Sequence, residues 1–290
     1  EVEATIARFG DGVRRAIQAG FDGVEIHGAN TYLIQQFYSP NSNQRTDEWG
    51  GSRDNRAKFP LAVLDITHKM ARQYADDAFI IGYRFSPEEL EEPGIRFEDT
   101  MYLLEKLAAR GLDYLHFSLG ASLRPSINDT RDPTPLIEKY CALRSEALAQ
   151  VPVMGVGGVV NLADAEEGIR HGYDLIAVGR ATIAWPDWTD RIARGDTLEL
   201  FIDSTQREAL NIPEPLWRFS LVEAMIRDMS MGEAKFKPGV FTESVQDEQN
   251  ELVLNIRLDG DRIADIEMVD GPQQGEFVTT FEEIKTRILD

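Results

Sequence analysis

Along residues 1–200 the chain alternates between two textures of apolar and polar positions. Short runs rich in Val, Ile, Leu and aromatics occur at Gly23–His27 (GVEIH), Phe79–Phe85 (FIIGYRF), Leu112–Ser118 (LDYLHFS), Val151–Val156 (VPVMGV) and Asp174–Val178 (DLIAV). Each has the length and composition of a strand covered on both faces. The intervening segments, roughly 53–75, 97–110, 133–149, 161–171 and 187–195, carry helical spacing. In the second of these, Met101, Leu104, Leu107 and Ala108 form one apolar stripe. Alternation of strand and helix without hairpin signals predicts a parallel α/β architecture.

Two such architectures compete, a doubly wound open sheet and a (β/α)8 barrel. A G-x-G-x-x-G turn after the first strand is absent, and the Gly-rich segments instead follow the last two strands, at 155–161 (GVGGVVN) and 178–184 (VGRATIA). Phosphate sites on the loops after the final two strands are a barrel habit, which makes these strands seven and eight and GVEIH the fourth. About three βα units, roughly 90 residues of a ~250-residue barrel, are then expected to precede the chain. The missing initiating Met points the same way. The texture changes near residue 234, so residues 1–234 are expected to be the partial barrel and 235–290 a small α+β appendage. Within the appendage, residues 251–269 alternate around Asp259-Gly260 as a hairpin, and 279–290 read as a short helix.

Composition narrows the partners. Fifty acidic against thirty basic residues give a net charge of −20, a field that repels nucleic-acid phosphates and anionic lipid surfaces. The lone Cys141 excludes a disulfide framework and any four-cysteine zinc or iron–sulfur site within the chain. The longest apolar runs are strand-length, so no transmembrane span is expected. The N-terminal twenty residues alternate at helical spacing, unlike a signal peptide. A cytoplasmic protein follows, with neither nucleic acid nor membrane as partner and a homo-oligomer left open.

Chemistry in a parallel barrel sits at the C-terminal ends of the strands. That rule selects His27, Asn30 and Tyr32 after the first run, Arg84 and Ser86 after the second, and Ser118 and Gly120 after the third. Gly157 and Gly158, then Gly179 and Arg180, follow the last two. Arg84 lies inside an apolar run, where an unpaired charge is costly; it must meet an anion, either a protein carboxylate or a ligand. The glycines of GVGG serve tight packing or phosphate binding equally well. Coupled to Gly179 and Arg180, backbone N–H groups and a guanidinium converge as for a phosphate. The set of two oxygen-directed donors, one phenol, one fixed cation and a Gly/Arg cradle suits a phosphorylated cofactor with a carbonyl substrate. His68, His116, His171 and Cys141 lack such company and read as structural. After Tyr32 the chain runs about twenty residues to its next helix, a polar loop that Ser42, Asn43, Arg45, Asp47, Gly50 and Gly51 are expected to shape.

Residues 27–59 (HGANTYLIQQFYSPNSNQRTDEWGGSRDNRAKF) resemble the signature of the old yellow enzyme family, FMN-dependent ene-reductases on a (β/α)8 barrel. The likeness continues through YRFSP (83–87), GVGGV (155–159) and AVGRATIAWPDW (177–188), covering residues 1 to about 200 in order. It implies that FMN is the cofactor, NAD(P)H the reductant and an electron-poor alkene the substrate. By the same resemblance His27 and Asn30 bind the substrate carbonyl oxygen and Tyr32 donates a proton. Arg84 then lies by the flavin N1/C2=O edge, while Gly157, Gly158, Gly179 and Arg180 hold the phosphate. No metal is implied. Thr31 and Trp49 depart from the Gly and Tyr frequent in the family, and the absence of Cys after position 141 argues against its iron–sulfur subgroup. The competing expectations are a non-catalytic truncated fragment, an FMN-binding domain without turnover, or another phosphate-binding barrel enzyme. The appendage shows only a weak likeness, over 252–269, to small flavin-binding modules.

Overall fold

The computed structural model describes residues 1–227, 239–246, 251–259, 262–270 and 285. The chain packs as two units, Glu1–Phe201 and Ile202–Asp290. This division lies upstream of the boundary expected after residue 234, which itself falls outside the described residues. Residues 202–227 do not continue the βα alternation. They make a parallel pair of two-residue strands, β6 (Ile202–Asp203) and β7 (Ile226–Arg227), after the five strands of the first unit.

Those five are β1 (Gly23–Gly28), β2 (Ile80–Phe85), β3 (Tyr114–Phe117), β4 (Val153–Val156) and β5 (Leu175–Ala177). They form one parallel sheet in chain order, each within three residues of its expected run. Helices Arg53–Tyr74, Phe97–Ala108 and Leu162–His171 return the chain from β1, β2 and β4, close to expectation. The helix expected over 133–149 is two pieces, Leu136–Leu143 and Glu146–Ala149. Ser145 causes the break: its backbone is extended, and its Oγ accepts the Leu148 N–H to cap the second piece. The last expected helix is Trp188–Ala193.

In the first unit two helices went unforeseen, Leu33–Tyr38 and Arg180–Ala184, and in the second the short Glu214–Trp217 and Ser220–Glu223, among the described residues. The first corrects the expectation of an unbroken polar loop after Tyr32. It is too short to display a helical period, yet Ile34, Gln35 and Tyr38 are buried along one side.

Strands covered by apolar residues on both faces were expected, and the sheet has only one such face. Ile26, Tyr83, Leu115 and Val153 stand in register on the helix-covered side, with Phe85 and Phe117 two positions beyond Tyr83 and Leu115. Phe117 lies 4.6 Å from the Phe85 ring, 5.6 Å from Tyr140 and 5.7 Å from Tyr173, centroid to centroid. Burial of each such side chain stabilises the fold by about 1.5–3 kcal/mol. On the other face, residue numbers shifted by one bring Glu25, His27, Arg84, Tyr114 and His116 together. Five parallel strands with one helical jacket are consecutive staves of a (β/α)8 barrel, and the polar face is the one a barrel encloses.

In the second unit β8 (Gly239–Gln246), β9 (Glu251–Asp259) and β10 (Arg262–Asp270) form an antiparallel sheet. Asp259 pairs with Arg262, as the hairpin signal requires. The helix expected over 279–290 lies outside the described residues, Lys285 excepted. Among the described residues no helix is long and apolar enough to cross a membrane.

Candidate active site

At the tip of β1 the chain passes through buried Ala29 into Asn30 and Thr31, both left-handed, with φ of 57° and 60°. Asn tolerates this region, whereas a β-branched Thr holds it at a cost of about 1–2 kcal/mol. Neighbouring strand tips supply the compensation. The Asn30 N–H donates to Ser86 Oγ (2.9 Å), Ser118 Oγ donates to Asn30 Oδ1 (2.7 Å), and the Thr31 N–H donates to Gln35 Oε1 (3.0 Å). Gln35 is itself fixed by donating to the buried Glu89 carboxylate at 2.8 Å, which also accepts from Ser39 Oγ and the Ile95 N–H. Ser118 engages the amide oxygen, and the Asn30 Nδ2 makes no hydrogen bond among the described residues. Tyr32 then opens the helix Leu33–Tyr38; it is 63% exposed, and its ring centroid lies 5.4 Å from that of His27.

One row of the inner face runs His27, Arg84, His116 and Met154 across β1 to β4. Burial, reinforced by the charge of Arg84 and only partly offset by Glu25, holds the His27 imidazole below its ordinary pKa. A neutral imidazole at that tip donates one hydrogen bond without adding charge. The Arg84 Nε is buried without a hydrogen-bond partner. Glu25, the carboxylate nearest in register, accepts instead from Tyr114 Oη at 2.9 Å and pairs with His116 Nδ1 at 2.8 Å. A protein carboxylate bonded to Arg84, one of the two expectations for this residue, is therefore absent among the described residues. The guanidinium keeps an unspent donor, as a site for an external acceptor requires.

The glycines divide by role. Gly157 has a φ of 119°, and a Cβ there would lie 2.7 Å from the backbone of Leu119 and Gly120, so the β3 and β4 loops meet through it. Gly158 (φ 77°) and Gly179 face open space, and the pairing of Val156 with Ala177 brings their loops out side by side. Arg180 starts the helix Arg180–Ala184 and makes no ion pair among the described residues. Open room, glycine backbone and an unpaired guanidinium fit a phosphate. With the orphaned Arg84 Nε at the other end, the chain's residues fit FMN.

The other singled-out residues do structural work. Asn43 Nδ2 donates to the carbonyls of Phe37 and Trp49, Arg45 pairs with Asp47, and Ser42 Oγ donates to the Gln36 carbonyl, so the 39–52 loop is tied to itself. His68 bonds the Gly111 carbonyl, and His171 pairs with Glu138. Burial pushes the Cys141 thiol up, away from reactivity. Among the described residues no cluster of His, Cys, Asp or Glu could hold a metal ion. Sequence reasoning passed over Glu25 and Tyr114 and gave His116 no company. The available signal was parity: positions 25 and 27, and 114 and 116, put polar side chains on one face of two strands that otherwise look apolar.

Residues 1–199 match the NADH:flavin oxidoreductase / NADH oxidase family, and the chain belongs to it. Its members are enzymes that use FMN and NAD(P)H. The chain is similar to the NADH:fumarate oxidoreductase of Klebsiella pneumoniae (strain 342), at 82% identity over 290 residues, covering 100% of this chain and 31% of that protein. It is 48% identical over 303 residues to the NADH:acrylate oxidoreductase of Vibrio harveyi, covering 100% of this chain and 30% of that protein. The chain thus spans under a third of these curated relatives. Among solved structures, morphinone reductase in complex with tetrahydroNAD superposes with a TM-score of 0.54 at 30% identity, covering 69% of this chain and 50% of that one. An old yellow enzyme homologue from Zymomonas mobilis (TM-score 0.56, 23% identity, 70% and 54% coverage) shares the fold. The resemblance to old yellow enzymes and the partial barrel read from the sequence are both shown.

Proposed function

We propose that this chain carries the FMN site of an NAD(P)H-driven oxidoreductase that reduces the C=C bond of α,β-unsaturated carbonyl-type compounds. The observation that carries the reading is the strand-tip arrangement: His27, its pKa held low by burial and Arg84, the Asn30 amide fixed by Ser118 and the Tyr32 phenol, next to the unpartnered Arg84 Nε. FMN bound here would supply the hydride chemistry that links NAD(P)H oxidation to reduction of the alkene β-carbon. Arg84 would hold the electron-rich edge of the ring system, and Gly157, Gly158, Gly179 and Arg180 would hold the phosphate. His27 and Asn30 donate to the substrate carbonyl oxygen, where negative charge grows; each well-placed donor is worth about 3–4 kcal/mol in such sites. Tyr32 gives its proton to the α-carbon and, being exposed, recovers it from solvent. The names of both curated relatives pair NADH with an alkene conjugated to a carboxyl group, fumarate or acrylate, which supports this substrate class. We place the protein in the cytoplasm, acting on small molecules.

The test is Tyr32→Phe in the full-length protein. Bleaching of the bound FMN by NAD(P)H should proceed at the wild-type rate, while its recolouring by an enone, fumarate or acrylate should slow by about 10²-fold or more. Equal loss of both half-reactions would remove Tyr32 as proton donor. A second reading draws on the relatives' length, more than three times the span of this chain: the FMN here takes hydride from NAD(P)H, and alkene reduction occurs elsewhere in the longer protein. Under that reading Tyr32→Phe leaves fumarate or acrylate turnover untouched.

A further inference from the structure

We propose that Glu25 is a positioning residue that sets the reduction potential of the FMN at Arg84, with Gly82, Tyr114 and His116 as the mount that holds its carboxylate in place. The inference rests on the reading of Arg84 as an FMN ligand.

Glu25 lies on the inner face of β1, two residues before His27 and one row below Arg84. Its Oε2 receives the Tyr114 hydroxyl at 2.9 Å and pairs with His116 Nδ1 at 2.8 Å. Both partners come from β3, and β2 stands between. The residue of β2 in register with Glu25 and Tyr114 is Gly82. A Cβ at Gly82 would lie 2.1 Å from the Tyr114 ring, so the phenol reaches Glu25 only because no side chain occupies that position. Two β3 side chains and the bare position at Gly82 thus hold the Glu25 carboxylate by bonds that do not include Arg84. Burial alone would raise the Glu25 carboxyl, but the bonds from His116 and Tyr114 and the charge of Arg84 outweigh it and hold it below the usual range. The carboxylate is therefore ionised, and it leaves the Arg84 Nε unspent.

The consequence is a graded field. Two-electron reduction of FMN by hydride from NAD(P)H, which leaves NAD(P)+, puts negative charge on the flavin edge near Arg84. The guanidinium favours that charge, and Glu25 beneath it opposes it. The pair lowers the potential relative to a bare guanidinium and makes the loaded flavin a stronger hydride donor. Direct Glu25–Arg84 bonding would instead have tied up the donors that the cofactor needs.

The experiment is a redox titration of the FMN that Arg84→Ala removes, in full-length protein, for wild type, Glu25→Gln and Glu25→Asp. Glu25→Gln keeps the length and an acceptor oxygen but drops the charge; it should favour the reduced form three- to tenfold, raising the potential by about 15–30 mV for a two-electron couple. Glu25→Asp keeps the charge and should stay near wild type. A purely structural role gives the opposite order, with Gln silent and Asp disturbed, and that result overturns the proposal. So does an unmoved potential in loaded Glu25→Gln, or its failure to take up FMN where wild type and Glu25→Asp both load. If Arg84→Ala instead retains all the FMN, the reading of Arg84 as ligand fails, and the tuning role falls with it.

Discussion

On the outer face of the sheet Ile26, Tyr83, Leu115 and Val153 lie in one row beneath the helices, all buried and apolar in body. One residue further along each strand, His27, Arg84, His116 and Met154 make the opposite row, which includes two buried polar atoms without partners, Arg84 Nε and His116 Nε2. The backbone is shared, so the contrast comes from what each row must satisfy. The outer face packs apolar groups within the chain and stacks rings two positions further on, around Phe117, where the Tyr140 Oη is its own buried atom without a partner. The inner row leaves Arg84 Nε and His116 Nε2 unpartnered among the described residues, at a free-energy cost that a bound ligand would offset. The apolar core and the polar row that the proposed chemistry needs thus lie on opposite faces of the sheet.

The contrast breaks most visibly at Phe117. Truncation to Ala empties the centre of the Phe85–Tyr140–Tyr173 cluster and should cost about 3–5 kcal/mol in a denaturant titration, enough to threaten folding. Arg84→Ala probes the facing row. It should shift the unfolding midpoint by about 1 kcal/mol or less, since its Nε bonds nothing, while FMN affinity falls at least about tenfold by fluorescence titration. A stability loss matching that of Phe117→Ala would erase the distinction between the faces. The smallest effect belongs to His27. Its folded-state pKa is depressed, so the unfolded chain binds the proton first. Its contribution is present above the ordinary value of about 6.5 and is lost as pH falls through the folded value. His27→Gln should therefore flatten the pH dependence of stability below about pH 6.5.

Legibility followed the same division. The five strands were visible as short apolar runs, and the helices Arg53–Tyr74 and Phe97–Ala108 because burial of one face imposes a helical period. The strand-tip rule named His27, Asn30, Arg84 and the glycines because parallel barrels put their open ends together. Leu33–Tyr38 escaped because six residues are too few to show a period, and its buried Gln35 reads as polar until Glu89 is seen beside it. Glu25 and Tyr114 escaped for a different reason: their meeting depends on the register of three strands and on the empty position at Gly82.

The sequence by itself determined the order of elements, the apolar core and the family, since these follow from local periodicity and from a long contiguous motif. Tertiary structure decided which donors are spent and which remain. Ser118 and Asn30 are 88 residues apart, Glu25 and His116 91 apart, and no local pattern encodes such a pairing. Whether Arg84 meets Glu25 or a cofactor depends on a few ångströms across the sheet, which only strand register sets.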